Sequence, residues 1–230
     1  MSTVAIIPAR SGSKGLTDKN IRSVAGITLL ERSIQFAKHL EFEQIIVTTD
    51  KEEYAKIARN AGAIVPGLRD PSASNSKAME PAIIDDLNQR LREHRIAAPE
   101  IVVWLRPTFI FRSIASTLEC VRLVRDESRS SARVVTEVDP RIYASVDGKL
   151  KASFSDGGAS MIQRQGMEPN YHVFNADVFP WPTTKCPKDY LGSNIGYSVA
   201  PKICGVDIDT EEDLNLAEAL LKSFGTGILA

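Results

Sequence analysis

Short apolar runs rich in β-branched residues alternate with segments of helical periodicity over the first part of the chain, up to residue 138. The apolar runs are 4–8 (VAIIP), 44–48 (QIIVT), 63–65, 101–105 (IVVWL) and 132–138, and the helical segments between them are 29–40, 52–61, 79–94 and 114–125. Continuous apolar runs of this kind are typical of strands that are buried on both faces. The alternation therefore predicts βαβ units, and with them an α/β fold in which helices cover both faces of a parallel sheet.

The pattern changes at about residues 141–200. The segments there are short and are separated by turn signals such as Asp147-Gly148, which are typical of antiparallel hairpins. We therefore expect one domain over residues 1–230, with a small hairpin-rich insertion at about 141–200. A last helix is predicted over 211–224, and the tail that follows it is expected to be frayed.

The balance of charge excludes two classes of partner. The 230-residue chain has 28 Lys and Arg against 29 Asp and Glu, a net charge of -1, so no overall positive field would draw it to nucleic acid or to an anionic membrane. The three cysteines form no C-x-x-C pair, and no apolar stretch approaches the roughly 20 residues that cross a bilayer. We therefore expect a cytoplasmic protein with neither nucleic acid nor membrane as a partner.

The loop after the first predicted strand, residues 8–20 (PARSGSKGLTDKN), is rich in cations and hydrogen-bond donors. Arg10, Lys14 and Lys19 supply positive charge, and glycines allow backbone N–H groups to turn toward an anion. Ligands of open α/β sheets bind beyond the carboxyl ends of the strands, so the loop predicts a polyphosphate site. It matches neither a Walker A loop nor a dinucleotide fingerprint, and a solvated basic turn is the alternative.

Two aspartates near the C-terminus, Asp207 and Asp209, stand two positions apart in the segment VDIDTEEDLNLAE. In an extended segment such residues point to the same side, and two convergent carboxylates repel each other unless a cation lies between them. A hard divalent ion such as Mg²⁺ prefers oxygen ligands together with substrate phosphates. The pair therefore predicts a Mg²⁺ site, and an acidic helix N-terminus without a metal is the alternative.

The segment IIPARSGSKGLTDKN closely resembles the N-terminal signature of the CMP-sialic acid synthetases, which are acylneuraminate cytidylyltransferases. The closing motif of that family, D-I-D-x-x-x-D-x-x-x-A-E, is matched over residues 207–218. The resemblance implies a Rossmann-like three-layer nucleotidyltransferase fold whose small insertion serves dimerisation, so that the protein would be a homodimer. It also implies transfer of CMP from CTP to a nine-carbon 2-keto sugar acid, with Mg²⁺ as the cofactor.

By this resemblance, residues of the two motifs take defined roles. The nucleotide-binding residues of the loop are Arg10, Ser13, Lys14, Lys19 and Asn20. In the family the two aspartates serve the metal and the reacting centre, which assigns Mg²⁺ to Asp207 and Asp209 and a structural role to Asp213. Catalytic roles fall to Arg10, Lys19 and Asp209.

The middle of the chain matches the family less closely. Residues 65–76 (VPGLRDPSASNS) resemble a nucleotide-contact segment and add Arg69 and Ser76 to the nucleotide-binding residues. Where the family has Q-P-T-S-P-L-R, this chain has RPTFIFR, so Arg106 replaces a glutamine that faces the sugar acid. Residues 164–175 (RQGMEPNYHVFN) resemble a further stretch of the family. The predicted substrate-binding residues are Arg106, Arg164, Tyr171 and Asn175.

Two other functions remain open. The added guanidinium of Arg106 could pair with a carboxylate or a phosphate, or could fill the pocket, and it favours a nucleotidyltransferase that uses another nucleotide or another acceptor. The second alternative is a relative that binds nucleotide without catalysis. All of these functions require the basic loop and the acidic pair to share one cleft.

Overall fold

The computed structural model describes residues 1–13, 15–75, 78–153 and 166–230. The strands are β1 (Thr3–Pro8), β2 (Ser23–Val24), β3 (Ile27–Thr28), β4 (Gln44–Thr48), β5 (Ile101–Trp104), β6 (Arg112–Ser113), β7 (Ser131–Val138), β8 (Tyr143–Val146), β9 (Lys149–Ala152), β10 (Asn170–Pro180), β11 (Ile195–Val199) and β12 (Ile228–Leu229). The helices are α1 (Leu29–His39), α2 (Glu52–Asn60), α3 (Glu80–Glu93), α4 (Ile114–Asp126) and α5 (Glu211–Phe224). Strand and helix alternate as the sequence predicts, except that the predicted strand at 63–65 is only an isolated bridge between Ile64 and Ile46.

Six of the strands form one central sheet in the order β11-β7-β10-β5-β1-β4. β1 pairs in parallel with both β4 and β5, and β7 pairs in parallel with β11. β10 runs antiparallel to β5 and to β7 and thereby joins the two parallel parts. The sheet is therefore mixed, with the carboxyl ends of β1, β4 and β5 along one edge.

Alternate side chains of β1 enter two separate hydrophobic cores, because successive side chains of a strand point to opposite faces. Val4 and Ile6 belong to a cluster that includes Leu87 of α3. Ala5 and Ile7 belong to a larger cluster that takes residues from α1, α2, α4 and α5. Helices therefore cover both faces of the sheet, and the expected three-layer α/β architecture is confirmed.

The predicted insertion at about 141–200 is smaller in the structure. β10 and β11 both lie in the central sheet, and within the described residues it is the hairpin of β8 and β9 that forms a separate two-stranded sheet. The sequence interpretation grouped these segments because all are short and bounded by turn signals. Local pattern does not tell which long-range partner such a strand takes.

The C-terminal tail is ordered rather than frayed. Ile228 and Leu229 pair in parallel with Arg112 and Ser113. Gly227 precedes this pairing with φ +82, and a side chain on it would meet the carbonyl oxygen of Ile110 at 2.7 Å. A glycine is therefore required for the tail to reach β6.

Among the described residues, no helix combines the length and the apolarity that crossing a bilayer requires. Cys120, Cys186 and Cys204 are free thiols in buried positions, so the fold is stabilised without disulfides.

Candidate active site

A cavity of about 490 Å³ opens at the carboxyl ends of β1 and β5. Its lining comes from the loop 8–20, from Arg69, from residues 78–83, from residues 106–108 and from Asp209. The predicted residues Arg10, Ser13, Lys19, Asn20, Arg69, Arg106 and Asp209 all contribute to this lining. The structure thus brings the basic loop and the acidic segment into one cleft, which is where a doubly wound α/β sheet binds its ligands.

Hydrogen bonds at both ends hold the basic loop in place. The backbone N–H and the hydroxyl of Ser11 donate to the Asp50 carboxylate at 2.7 and 2.8 Å. The Asn20 side-chain amide donates to the carbonyl oxygen of Arg10 at 2.9 Å, and Gly12 has φ +65. Asp50 was not among the predicted residues, although its position directly after the β4 run is a signal that could have found it. These bonds tie the loop to the end of β4 at Ser11 and close it on itself at Asn20.

Lys19 forms an ion pair with Asp209 across the cleft. The Lys19 side chain is 14% exposed and that of Asp209 is 67% exposed. The backbone around them also comes close, since a side chain on Gly15 would place its Cβ 2.9 Å from the Asp209 carbonyl oxygen. Gly15 therefore permits the direct approach of the loop to the acidic segment.

The acidic segment is fixed by the first turn of α5. Thr210 and Asp213 form a capping box, and the Asp213 carboxylate accepts hydrogen bonds from the backbone N–H groups of Asp209 at 3.0 Å and Thr210 at 2.8 Å. Burial alone would raise the pKa of Asp213, but these hydrogen bonds outweigh it and lower the pKa. Asp213 thus has the structural role that the resemblance implied, and it sets the direction of Asp209.

Asp207 is a half-buried carboxylate with unused bonding capacity. Its Oδ1 atom is buried and has no hydrogen-bond partner among the described residues. Burial raises the pKa of Asp207, and so does the neighbouring charge of Asp209. A hydrogen bond from Thr108 and the charge of Lys19 lower it, but by less. A carboxylate oxygen without a partner, close enough to a second carboxylate for its charge to raise the pKa, is chemically suited to a hard divalent cation such as Mg²⁺. Asp207 is not part of the cavity lining, and the described residues hold no group of three or more His, Cys, Asp or Glu side chains placed to bind a metal.

Replacing Asp207 by asparagine is expected to stabilise the free protein at pH 7 by about 1 kcal/mol, because it removes a half-buried negative charge that its partners compensate only in part. A raised pKa means that the folded state holds the proton more tightly, so the wild type loses stability as the pH rises above the ordinary pKa of an aspartate. The gain from Asp207→Asn should therefore shrink as the pH is lowered. Urea unfolding at several pH values measures this, and a variant less stable than wild type at pH 7 would contradict it.

Arg69 is held at the end of β4 and is 4% exposed. Its Nε donates to the Thr48 hydroxyl at 3.1 Å and its Nη2 to the Thr48 carbonyl oxygen at 2.6 Å. Burial lowers its pKa to about 10, against the charges of Asp50 and Asp86. The group remains cationic at neutral pH, so Arg69 can present a positive charge at the cavity wall.

Arg106 also lines the cavity and is bound to two carboxylates. Its Nη1 contacts Asp177 at 2.7 Å and its Nη2 contacts Glu80 at 2.8 Å. Burial alone would lower its pKa, but the two carboxylates outweigh this effect and raise it. Neither Asp177 nor Glu80 was predicted from the sequence, because both come near Arg106 only through the pairing of β10 with β5 and the position of α3.

Two predicted substrate-binding residues have other contacts. The Asn175 amide is buried and donates to the carbonyl oxygens of Phe111 at 2.9 Å and Cys204 at 2.8 Å, an arrangement that favours a structural role. The Tyr171 ring packs against Tyr197, with ring centroids 5.2 Å apart, and it is not part of the cavity lining. The predicted residues Lys14, Ser76 and Arg164 lie outside the described residues.

Comparison with known proteins finds similarity to cytidylyltransferases. A family model described as cytidylyltransferase matches residues 4–102. The chain is 31% identical over 221 residues to an N-acylneuraminate cytidylyltransferase of Escherichia coli, covering 93% of this chain and 51% of that protein. It is 23% identical over 227 residues to a pseudaminic acid cytidylyltransferase of Campylobacter jejuni, covering 96% of this chain and 97% of that protein.

Solved structures give the same fold. The structure of a CMP:2-keto-3-deoxy-manno-octonic acid synthetase, complexed with CTP, superposes with a TM-score of 0.68 at 14% identity and covers 97% of this chain and 100% of that one. A 4-diphosphocytidyl-2C-methyl-D-erythritol synthase from Anaerococcus prevotii gives a TM-score of 0.63 at 15% identity, covering 96% of this chain and 98% of that one. At these identities the likeness concerns the fold alone.

The lengths of the relatives differ. The chain spans about half the length of the E. coli protein and nearly the whole length of the C. jejuni protein. The matched region includes the basic loop, and the pairwise alignments extend over more than nine-tenths of the chain. The chain is therefore similar to cytidylyltransferases, and among them to enzymes that act on sialic-acid-like sugars.

Proposed function

We propose that the chain transfers CMP from CTP to the anomeric hydroxyl of a sialic-acid-like nine-carbon 2-keto sugar acid and releases pyrophosphate. The observation that carries this proposal is the shared cleft, in which Lys19 of the basic loop meets Asp209 of the acidic segment. The names of the E. coli and C. jejuni relatives support the choice of CTP and of a sugar acid as substrates.

The basic loop binds the triphosphate. Arg10, Ser13 and Lys19 line the cavity and offset the negative charge of the phosphate oxygens, which develops further as the leaving group departs. When CTP binds, Lys19 exchanges its contact with Asp209 for a phosphate oxygen. The Asp209 carboxylate is then free to bind the proposed Mg²⁺. Arg69 adds a fixed cation, and Asn20 keeps the loop closed through its bond to Arg10.

In the reaction, the acceptor hydroxyl oxygen forms a bond to the α-phosphorus, and the bond from that phosphorus to the oxygen bridging to the β-phosphorus breaks. The hydroxyl proton leaves to solvent, and pyrophosphate departs. The residues act by positioning the two substrates and by neutralising charge, as in phosphoryl transfer generally.

Mg²⁺ is the proposed cofactor. Asp207 and Asp209 would hold it, since the buried Oδ1 of Asp207 has bonding capacity to spare among the described residues. When bound, a divalent cation polarises the phosphate and acidifies the attacking hydroxyl. A readout independent of turnover is available, because Mg²⁺ should raise the melting temperature of the CTP complex in wild type and not in Asp207→Asn.

A homodimer is the proposed assembly. Ile195, Tyr197 and Val199 alternate along β11, the edge strand of the sheet, and are between 41% and 55% exposed. Residues two apart on a strand share one face, so these side chains form an apolar stripe of the kind that protein interfaces cover. Light scattering coupled to size exclusion measures the mass, and Tyr197→Asp should yield monomers if this stripe is the interface.

The function is tested by pyrophosphate release from each of the four nucleoside triphosphates, with N-acetylneuraminate, legionaminate and pseudaminate as acceptors and Mg²⁺ present. Turnover with CTP and at least one of these acids is the expected result. Turnover with a different nucleotide or acceptor would replace the proposal with the alternative that Arg106 favours. Binding of CTP without turnover by any acceptor would indicate a nucleotide-binding relative.

A further inference from the structure

The guanidinium of Arg106 is shared between two carboxylates that differ in exposure. Asp177 is fully buried and binds Nη1 at 2.7 Å, whereas the Glu80 side chain is 31% exposed and binds Nη2 at 2.8 Å. Arg106 and Glu80 both line the cavity. The guanidinium therefore has one contact directed into the protein and one contact directed toward the space that a ligand would enter.

The contact with Asp177 does not use up the positive charge of Arg106. Arg133 also binds Asp177, through Nε at 2.7 Å and Nη2 at 3.2 Å. Two guanidinium groups thus share one buried carboxylate, which leaves a net positive charge that Glu80 balances at the cavity side. A carboxylate other than that of Glu80 could balance the same charge equally well.

The position of Arg106 is fixed by an unusual stretch of β10. The pairing register of β10 shifts between His172 and Ala176, and within this irregularity Phe174 has φ 84. The Phe174 ring lies 4.5 Å from the Arg106 guanidinium and 5.0 Å from that of Arg133, within the range of cation–π attraction. Backbone strain of this kind persists where the surroundings demand it and is concentrated at ligand sites.

We propose that Arg106 binds the carboxylate of the acceptor sugar acid, and that Glu80 holds the same position on the guanidinium until the acceptor displaces it. This inference rests on the proposed function and makes Arg106, among the described residues, one that selects an acidic acceptor. The planar fork of an arginine matches a carboxylate in geometry. The exchange replaces one carboxylate by another, so the charge balance around Arg106 and Asp177 stays the same.

Glu80 is suited to such a temporary role. It is the first residue of α3, where a negative charge is favourable even without a cationic partner. An ion pair of a partly exposed carboxylate contributes little stability, so its release costs little. Glu80 can therefore leave Arg106 without disturbing the fold.

The experiment compares wild type with Arg106→Gln, Glu80→Gln and Arg122→Gln in the full chain. Arg122 is the matched control, because it also binds two carboxylates, Glu119 and Glu127, but lies exposed on α4. The best acceptor among N-acetylneuraminate, legionaminate and pseudaminate is compared with its methyl ester, which lacks the negative charge. Pyrophosphate release gives KM for CTP and for the acceptor, and calorimetry with CMP present measures acceptor binding without turnover.

Arg106→Gln is expected to raise the acceptor KM on the order of 10- to 100-fold, to leave the CTP KM within about twofold, and to abolish the preference for the acid over its ester. Glu80→Gln removes the competing carboxylate and should lower the acceptor KM by up to about fivefold. Arg122→Gln should match wild type. Arg106→Gln should fold, because Asp177 keeps both bonds to Arg133, and circular dichroism checks this.

Other outcomes overturn the inference. A higher CTP KM with an unchanged acceptor KM in Arg106→Gln would make Arg106 a nucleotide contact. A higher acceptor KM in Glu80→Gln would make Glu80 itself a substrate ligand. If the wild type turns over an acid but Arg106→Gln still prefers the acid to its ester, the inference is refuted and the proposed function stands. If the wild type neither binds nor uses any of the acids, the proposed function is refuted as well.

Discussion

Asp209→Asn is expected to lower kcat on the order of 100- to 1000-fold, the size of effect seen when one charge-stabilising group of a reacting centre is lost. Asparagine keeps the shape of the side chain but loses its negative charge, so Lys19 loses its anionic partner and the proposed metal site loses one of its two carboxylates. The Asp209 side chain is 67% exposed, so stability should change little. Turnover is measured as pyrophosphate release, and stability by thermal unfolding.

Glu212→Gln is the matched control for this variant. Glu212 lies in the first turn of α5, is exposed and is not part of the cavity lining. Its replacement by glutamine also removes one negative charge. Its turnover should equal that of wild type. If both variants lost activity equally, a general change in the local field would explain the loss. If neither lost activity, Asp209 would have no part in the reaction.

Asp177→Ala is expected to destabilise the fold by about 3–5 kcal/mol, which is the effect of removing one partner from a buried ion pair. Asp177 is fully buried and binds both Arg106 and Arg133, whose guanidinium groups would then repel each other without a shared anion. Such a loss is a large fraction of the roughly 5–15 kcal/mol that stabilises a typical domain. The midpoint of urea unfolding is the measurement.

A double-mutant comparison of Asp177 and Arg106 distinguishes repulsion between the guanidinium groups from the cavity that Asp177→Ala leaves. If repulsion between the two guanidinium groups is the cause, then Asp177→Ala should cost less in an Arg106→Gln background than in wild type. Glu119→Ala, which breaks an exposed ion pair with Arg122 on α4, serves as the control and should leave the unfolding midpoint almost unchanged. Equal costs in both backgrounds would contradict the proposed charge balance around Arg106.

Much of the fold could be predicted because its signals are local. The run 44–48 and the helix 211–224 have the same limits in the structure as in the sequence prediction. A buried parallel strand has to be continuously apolar, and α5 begins where Thr210 and Asp213 can form a capping box. The meeting of the basic loop with Asp209 is expected from the resemblance of both motifs to one family and not from local signals, since Asp207 forms only an isolated bridge to Phe109.

The remaining features depend on contacts between distant segments. The sequence of β10 shows no preference between a separate hairpin and the centre of the sheet, and its antiparallel pairing with β5 is what places Asp177 beside Arg106. Likewise, the tail is short and contains two glycines, and its order comes from the pairing of Ile228 with Arg112. Spacing along the chain carries no record of these partners, so the acids around Arg106 could not be identified from motifs.

The contact between Lys19 and Asp209 joins residues 190 positions apart, which has a consequence for biosynthesis. A ribosome that has released only the first half of the chain has already exposed the basic loop, yet the carboxylates that complete the cleft have not been translated. The nascent chain can form β1, β4 and β5 together with their helices, but it cannot assemble the reaction centre until α5 emerges. The proposed catalytic competence should therefore appear only after α5 has left the ribosome, whereas β1, β4 and β5 can fold earlier.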